Sequence, residues 1–219
     1  MGLDASKAKG GAPKTPPLDE GLYKARLVQV IDLGVQPRSF KGDEKPPQQQ
    51  IMLTYELSDE FLLDKDGEPQ PDKPRWLSET FGLNKPGVEK AKSTARLKAL
   101  NPAGDQPNFG MLLGTPVMLH VVQNVSKTDK TAIYNKIDTV MAMKPKDQIN
   151  MPKLVNSPRA LDLDAPDKAI WDDLPDWVKD RIRSGLEFKG SDAERVFGGA
   201  KAEAKKVVAK EAEEDGNPY

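Results

Sequence analysis

The sequence predicts a mainly β protein with a few helices, because three features point the same way. Five segments between residues 22 and 143 have the alternating or dense apolar pattern of strands. One segment between the third and fourth of them consists of helix formers without that alternation. The 219 residues include 17 glycines and 19 prolines, and only 37% are hydrophobic, which favours one core with flexible ends over two full cores.

Apolar alternation predicts the first three strands. They are expected at Leu22–Ile31, Gln50–Leu57 and Arg75–Phe81. In the second strand the apolar residues recur at every other position and share one face: Ile51, Leu53, Tyr55 and Leu57. Residues 34–47 are predicted to form a long polar loop. The Asp66-Gly67 pair before the third strand is a strong turn signal.

The remaining elements of the body follow a change of character in the chain. Pro86–Leu100 predicts a helix, Pro116–Gln123 a dense apolar fourth strand, and Ala132–Met143 a fifth strand. The order β-β-β-α-β-β is the one that an OB-fold barrel requires, although several α+β folds share it. We therefore expect a β-barrel of the OB-fold type.

The chain beyond Lys144 is predicted to be an extension that packs along the body. It begins irregularly and then forms two short helices, one at Leu174–Ser184 with Asp173 as N-cap and one opened by a Ser191/Glu194 capping box. The predicted divisions are a disordered arm (1–17), an OB-fold-like nucleic-acid-binding domain (18–146), an extended segment with short helices (147–200) and a partly helical acidic tail (201–219).

Charge is distributed unevenly along the chain. Residues 20–159 carry 20 positive and 17 negative side chains, whereas residues 160–219 carry 10 positive and 15 negative ones. A basic body followed by an acidic tail is typical of a polyanion-binding domain whose tail competes for the same positive groove. The plain alternative is a solvated tail that only aids solubility.

The composition gives little support for an enzyme. With no cysteine and one histidine, most thiol and zinc chemistry is excluded. Neither a phosphate-binding GxxxxGK[ST] loop nor a GxGxxG fingerprint is present. His120 lies within the predicted fourth strand and is interpreted as structural. Asp64, Asp66 and Glu68 resemble the start of a calcium loop, but Gly67 comes too early, so we interpret them as a hairpin tip. We expect no catalytic residue, cofactor or metal.

Membrane and export signals are also missing from the sequence. No apolar run approaches the roughly 20 residues of a membrane-spanning helix, and the N-terminus lacks the apolar stretch of a secretory signal. We therefore expect a cytoplasmic protein without membrane contact.

Basic and aromatic residues occur where an OB fold would bind a single nucleic-acid strand. Such folds use strands two and three and the loops joining strands one to two and four to five, with rings stacking on bases and cations following the phosphates. Trp76 is the best stacking candidate, because alternation turns it away from the inward Leu77 and Phe81. The other candidates are Lys24, Arg26, Arg38, Phe40, Lys41, Lys73, Arg75, Lys127, Lys130, Tyr134 and Lys136. Tyr134 and Lys136 are expected on the face opposite Ile133 and Ile137.

Each of these residues taken singly is an ordinary solvated strand residue. Taken together, on three strands and two loops, they fit a nucleic-acid-binding surface and an ordinary solvated surface equally well. The leading alternative is a protein-interaction or virion-associated structural module. A nuclease accessory would need a carboxylate cluster that the sequence does not display.

Several strings resemble a known family of proteins. GLYKARLVQVIDLGVQ, EKPPQQQIMLTYEL, KPRWLSETF, EKAKSTARLKAL and LLGTPVMLHVV are similar to the single-stranded-DNA-binding proteins encoded by many tailed bacteriophages, over about residues 18–200. This resemblance implies an OB-type body that coats single-stranded DNA in the host cell cytoplasm during phage replication and recombination. It is compatible with a monomer or an oligomer of this chain.

The same resemblance gives the C-terminus a role. Proteins of this class commonly end in acidic residues and an aromatic that recruit polymerase, helicase or primase. The corresponding residues here are Glu211, Glu213, Glu214, Asp215 and Tyr219. Gly216-Asn217-Pro218 separates the acids from the aromatic, which departs from the pattern and makes recruitment of replication proteins a weaker expectation than strand binding.

Overall fold

The β-sheet of this protein is built around one long central strand. The computed structural model describes residues 15–85, 88–126, 130 and 132–197, with only the backbone of Phe40. The strands are β1 Gly21–Phe40, β2 Asp43–Leu63, β3 Pro69–Gly82, β4 Pro116–Val125, β5 Ile133–Ala142 and β6 Arg159–Leu161. The helices are α1 Lys92–Leu100, α2 Pro145–Gln148, α3 Lys168–Asp172, α4 Asp176–Arg183 and α5 Asp192–Phe197, with a 3-10 helix at Phe109–Leu112.

The sheet is antiparallel except for its shortest strand. Its order is β3-β2-β1-β4-β5, and β6 adds to β1 in parallel at Gln29–Ile31. The predicted mainly β class and the predicted order of three strands, one helix and two strands are both confirmed. No helix within the described ranges is long and apolar enough to cross a membrane.

Helix α1 is hydrogen-bonded to both of the outermost long strands, β3 and β5. Arg96 donates from Nε and Nη2 to the two carboxylate oxygens of Glu79 on β3, at 2.8 and 2.9 Å. Its Nη2 also donates to the carbonyl of Asp138 on β5, at 3.1 Å. Burial together with the charge of Glu79 holds the pKa of the Tyr55 hydroxyl well above its usual range, so this tyrosine stays a neutral donor to Glu79.

Two apolar cores lie on opposite faces of the sheet. The first, on the inner face, contains Leu27, Leu53, Tyr55, Leu119 and α1 residues such as Leu100. The second lies on the outer face of β1 and β2, where Ile31, Leu33 and Met52 pack against Leu161 and helices α3–α5. Positions 51–57 of β2 are therefore buried on both faces, whereas the sequence predicted burial on one face only.

Two predicted element boundaries and the predicted burial of one side chain are wrong. Residues 34–47 do not form a loop, because β1 and β2 continue as a hairpin to a two-residue turn with positive φ at Lys41 and Gly42. The helix predicted from Pro86 begins at Lys92. Ile133, expected inward, is 47% exposed because it lies at the free end of β5.

The C-terminal extension contains more regular structure than predicted. Strand β6 and helix α3 were not expected. Asp173 ends α3 and does not cap α4, whose N-cap is Pro175. The Ser191 half of the Ser191/Glu194 capping box is confirmed, since the Glu194 backbone N–H donates to the Ser191 hydroxyl at 3.2 Å. The Glu194 carboxylate accepts the backbone N–H of Gly190, at 2.6 Å, in place of that of Ser191. The Asp64 carboxylate accepts two backbone N–H groups, which confirms the hairpin tip expected there.

Candidate functional site

The described residues of the predicted site lie on separate surfaces and do not form one cluster. Three groups can be distinguished: the tip of the β1–β2 hairpin, the outer face of β1, β4 and β5, and the region around Trp76. Lys24 and Arg38 lie about 46 Å apart along the β1 contour, at about 3.3 Å per residue. Lys127, the Phe40 side chain and the tail residues Glu211, Glu213, Glu214, Asp215 and Tyr219 lie outside the described part of the structure.

The hairpin tip carries the first group of basic residues. Arg38 and Lys41 are exposed beyond the point where β1 and β2 pair with other strands. Lys45 lies across the hairpin from Arg38 and forms a 3.8 Å ion pair with Asp43. Exposed pairs of this length contribute little to stability, so the Asp43 pair does not prevent Lys45 from contacting an anion.

The outer face of β1, β4 and β5 carries the second group. Lys24 is exposed on β1, and Tyr134 and Lys136 are half-buried on β5, which β4 separates from β1. The His120 ring contacts the Asp138 carboxylate at 3.2 Å on the same face. Hydrogen bonds from Thr139 and His120 hold the pKa of Asp138 below its usual value. Lys130 is exposed in the β4–β5 connection.

Arg26 has a structural role that the sequence did not indicate. Its guanidinium donates to three backbone carbonyls: those of Gly114 at 2.9 Å, Met151 at 3.3 Å and Pro152 at 2.8 Å. These bonds hold the segment Met151–Asn156, called here the strap, against the sheet. Arg26 therefore has little capacity left to bind a phosphate.

The three candidates on β3 do not act as one group. Leu77 and Phe81 are buried as predicted, and Trp76 points to the opposite face. Arg75 is half-buried, and burial lowers its pKa while Glu60 acts in the opposite sense. Lys73 is exposed and donates to Gln70 at 2.7 Å. Arg75 thus lies on the other face of β3 from the tryptophan.

Trp76 lines a groove between the sheet and the C-terminal extension. The groove has a volume of about 510 Å³, and its walls include Trp76, Asn156, Ser157, Arg159, Ile170 and Asp173. The indole N–H of Trp76 donates to Glu56 at 3.2 Å, which fixes the orientation of the ring. Arg159 donates to Gln29 at 2.7 Å and to Asp173 at 3.3 Å, so its guanidinium is held at the groove wall.

Glu56 is the acceptor around which this region is built. It is 4% exposed and accepts four N–H groups. The donors are the indole of Trp76, the backbone of Val155 at 2.7 Å, and the backbone and side chain of Asn156 at 3.2 and 2.7 Å. None of the ion pairs in the described part of the chain involves Glu56. The four donors therefore compensate its buried charge.

Sequence reasoning missed most of the groove. Glu56 could have been suspected because it is an acidic residue inside an apolar strand. Arg159 and the strap gave no signal, since their segment has neither helical nor strand periodicity. Within the described ranges, no group of three or more carboxylate or imidazole side chains is arranged to hold a metal ion.

Comparisons with known proteins give no further guidance on this site. Neither a scan against protein-family models, nor a search of curated proteins, nor a search of solved structures returns a match to this chain.

Proposed function

We propose that this protein binds single-stranded DNA without sequence preference and has no catalytic activity. The observation that carries the proposal is the groove that the half-buried ring of Trp76 lines together with Arg159. A ring and a fixed guanidinium side by side are the parts that stack a base and hold its phosphate.

The architecture supports an OB-type barrel as the framework of this function. In that fold, five strands in the order β3-β2-β1-β4-β5 close by bringing β3 and β5 together, with a helix between β3 and β4. The strand order agrees, and Arg96 of α1 joins β3 to β5 through Glu79 and the Asp138 carbonyl. Trp76 then lies on the outer face of β2 and β3, which OB folds use for single strands.

Other basic residues extend the proposed path of the strand away from the groove. Lys73 precedes Trp76 on β3, and the hairpin tip adds Arg38 and Lys41 at the far end of β1. Lys24 and Lys136 lie on the outer face of β1 and β5, away from β2 and β3, and require a strand that wraps around the body. Each neutralised phosphate contributes a salt-dependent term without sequence readout.

The biological setting of the proposal comes from the sequence resemblance. The protein would coat single strands in the cytoplasm of an infected bacterium during phage replication and recombination. The acidic tail, Glu211–Tyr219, would compete with DNA for the basic residues of the body and recruit replication proteins.

A second candidate function, docking of another protein, is favoured by one apolar feature. Val125 and Ile133 are cross-strand partners at the end of the β4–β5 hairpin and are 56% and 47% exposed. A protein-interaction module would bind its partner there and show no salt-dependent binding of nucleic acid.

Substitution of Trp76 tests the proposed function. We expect Trp76→Ala to weaken oligo-dT binding by about 1–3 kcal/mol, the value of one stacked base. Trp177→Phe is the matched control, because Trp177 packs against the second core and its indole N–H has no partner among the described residues. Unchanged affinity of a folded Trp76→Ala variant, checked by circular dichroism, would remove the groove from the site.

A further inference from the structure

A second hollow lies beside the Trp76 groove, at the strap. It has a volume of about 220 Å³, less than half that of the groove. Its walls include Arg26 of β1, Glu56 and Phe61 of β2, Pro71 and Pro74 of β3, and Lys153, Leu154 and Val155 of the strap. Arg26 is the one residue lining this hollow that the sequence placed in a binding site.

The walls of this hollow fit a flat ring that is joined to a negatively charged group. Phe61 and Leu154 are half-buried, and the pyrrolidine of Pro74 is buried, so the interior is apolar. Lys153 is exposed at the rim and makes no hydrogen bond or ion pair with any other described residue. Arg26 and Glu56 also line the hollow, but they are already bonded to the strap and to Trp76. An otherwise apolar slot with Lys153 at its rim matches a nucleobase joined to a phosphate.

Glu56 places the hollow next to the groove. This residue lines the hollow and accepts the indole N–H of Trp76, which lines the groove. Val155 and Asn156 are bonded to the same carboxylate, so the strap separates the two cavities. Arg26 holds the other end of the strap at Met151 and Pro152. The wall between the cavities is therefore fixed before any ligand arrives.

We infer that the hollow is a second nucleotide subsite, in which one base stacks on Phe61 and its phosphate contacts Lys153 while another base of the same strand lies on Trp76. The inference rests on the proposed function and names further parts of the same site. The strand crosses the strap between the two rings. Because both subsites are fixed on one body, binding at one raises the effective concentration of the strand at the other.

Substitutions at the ring and at the cation test this inference. Phe61→Leu keeps the apolar character and removes the ring, and we expect it to weaken binding of an oligo-dT of about ten nucleotides by about tenfold. Lys153→Gln should reduce the slope of log K against log salt by about 0.7, the value of one phosphate contact on a single strand. Thymidine monophosphate can occupy the Trp76 groove without the hollow, so both variants should still bind it.

The matched controls lie on the same strand and on a remote surface. Leu62→Ala changes an adjacent residue that is 41% exposed and does not line the hollow. Lys189→Gln removes an exposed charge from the loop before α5. Neither should change oligo-dT affinity.

The outcomes separate the inference from the function on which it rests. Wild-type affinity and salt slope in Phe61→Leu and Lys153→Gln, with Trp76→Ala impaired, would overturn the second subsite and leave strand binding in place. No binding of oligo-dT by the wild-type protein would overturn both. Weakened oligonucleotide binding in both variants, with intact monophosphate binding, would establish the subsite.

Discussion

Replacing Glu56 by glutamine tests whether its carboxylate holds the strap and the Trp76 ring in place. The side chain keeps its volume but offers one acceptor oxygen and one amide NH₂ in place of two acceptor oxygens. Three of the four donors bond to Oε2 and one, the Val155 N–H, bonds to Oε1. In the better of the two amide orientations, only the Val155 bond is therefore lost.

The magnitude follows from these four bonds. A buried donor left without an acceptor costs about 1–3 kcal/mol, and the three bonds that remain weaken because the acceptor is no longer charged. Removing the buried charge gives back part of its desolvation cost. We expect a net loss of about 2 kcal/mol in the free energy of unfolding. Faster hydrogen exchange at Val155 and weaker oligo-dT binding should accompany it.

Urea unfolding of the purified variant measures this loss. Glu44→Gln is the control, because Glu44 is exposed on the same strand, and its substitution should change stability by no more than about 0.5 kcal/mol. A Glu56→Gln variant as stable as the wild type, with unchanged exchange at Val155, would refute the role of this carboxylate.

Three further predictions concern the fold, its pH dependence and the tail. Arg96→Met leaves the buried Glu79 carboxylate with Lys92 at 3.1 Å and the Tyr55 hydroxyl at 3.2 Å, and urea unfolding should show a loss of about 3 kcal/mol; a loss below about 1 kcal/mol would contradict this. Burial raises the pKa of Asp32, so its ionised form destabilises the native state as pH rises above the unfolded value of about 3.9. Asp32→Asn should therefore unfold at higher urea than the wild type at pH 7, with no difference near pH 3; equal midpoints at pH 7 would contradict it. Deletion of Glu211–Tyr219 should tighten oligo-dT binding at low salt as measured by anisotropy, and unchanged or weaker affinity would rule out competition by the tail.

The fold class could be predicted from the sequence because the inner face of the sheet follows simple alternation. Leu53 and Tyr55 of β2 and Leu77 of β3 are buried where period two places them. The same rule failed at Met52 and Thr54, which alternation turns outward. They are buried because the C-terminal extension covers that face. The residues of the extension lie more than a hundred positions later in the chain, so the local pattern of the strand cannot predict this burial.

The candidate site was less predictable than the fold because its chemistry depends on contacts distant in sequence. Alternation placed Trp76 on the outer face correctly. Arg26 has the same strand-face signature as Lys24, yet its guanidinium binds backbone carbonyls of the strap and of Gly114. Whether a strand arginine contacts solvent or the protein is decided by the tertiary fold, which spacing within one strand does not encode.

Fluorescence anisotropy of labelled oligo-dT, titrated with the full chain at low and moderate salt, tests directly whether the protein binds single-stranded DNA. Duplex DNA of the same length serves as competitor. The proposed binding should weaken as salt increases, with a log–log slope of about −0.7 for each phosphate contacted, and excess duplex should not displace the labelled strand. Absence of binding at low salt, for both the full chain and a chain lacking Glu211–Tyr219, would contradict it.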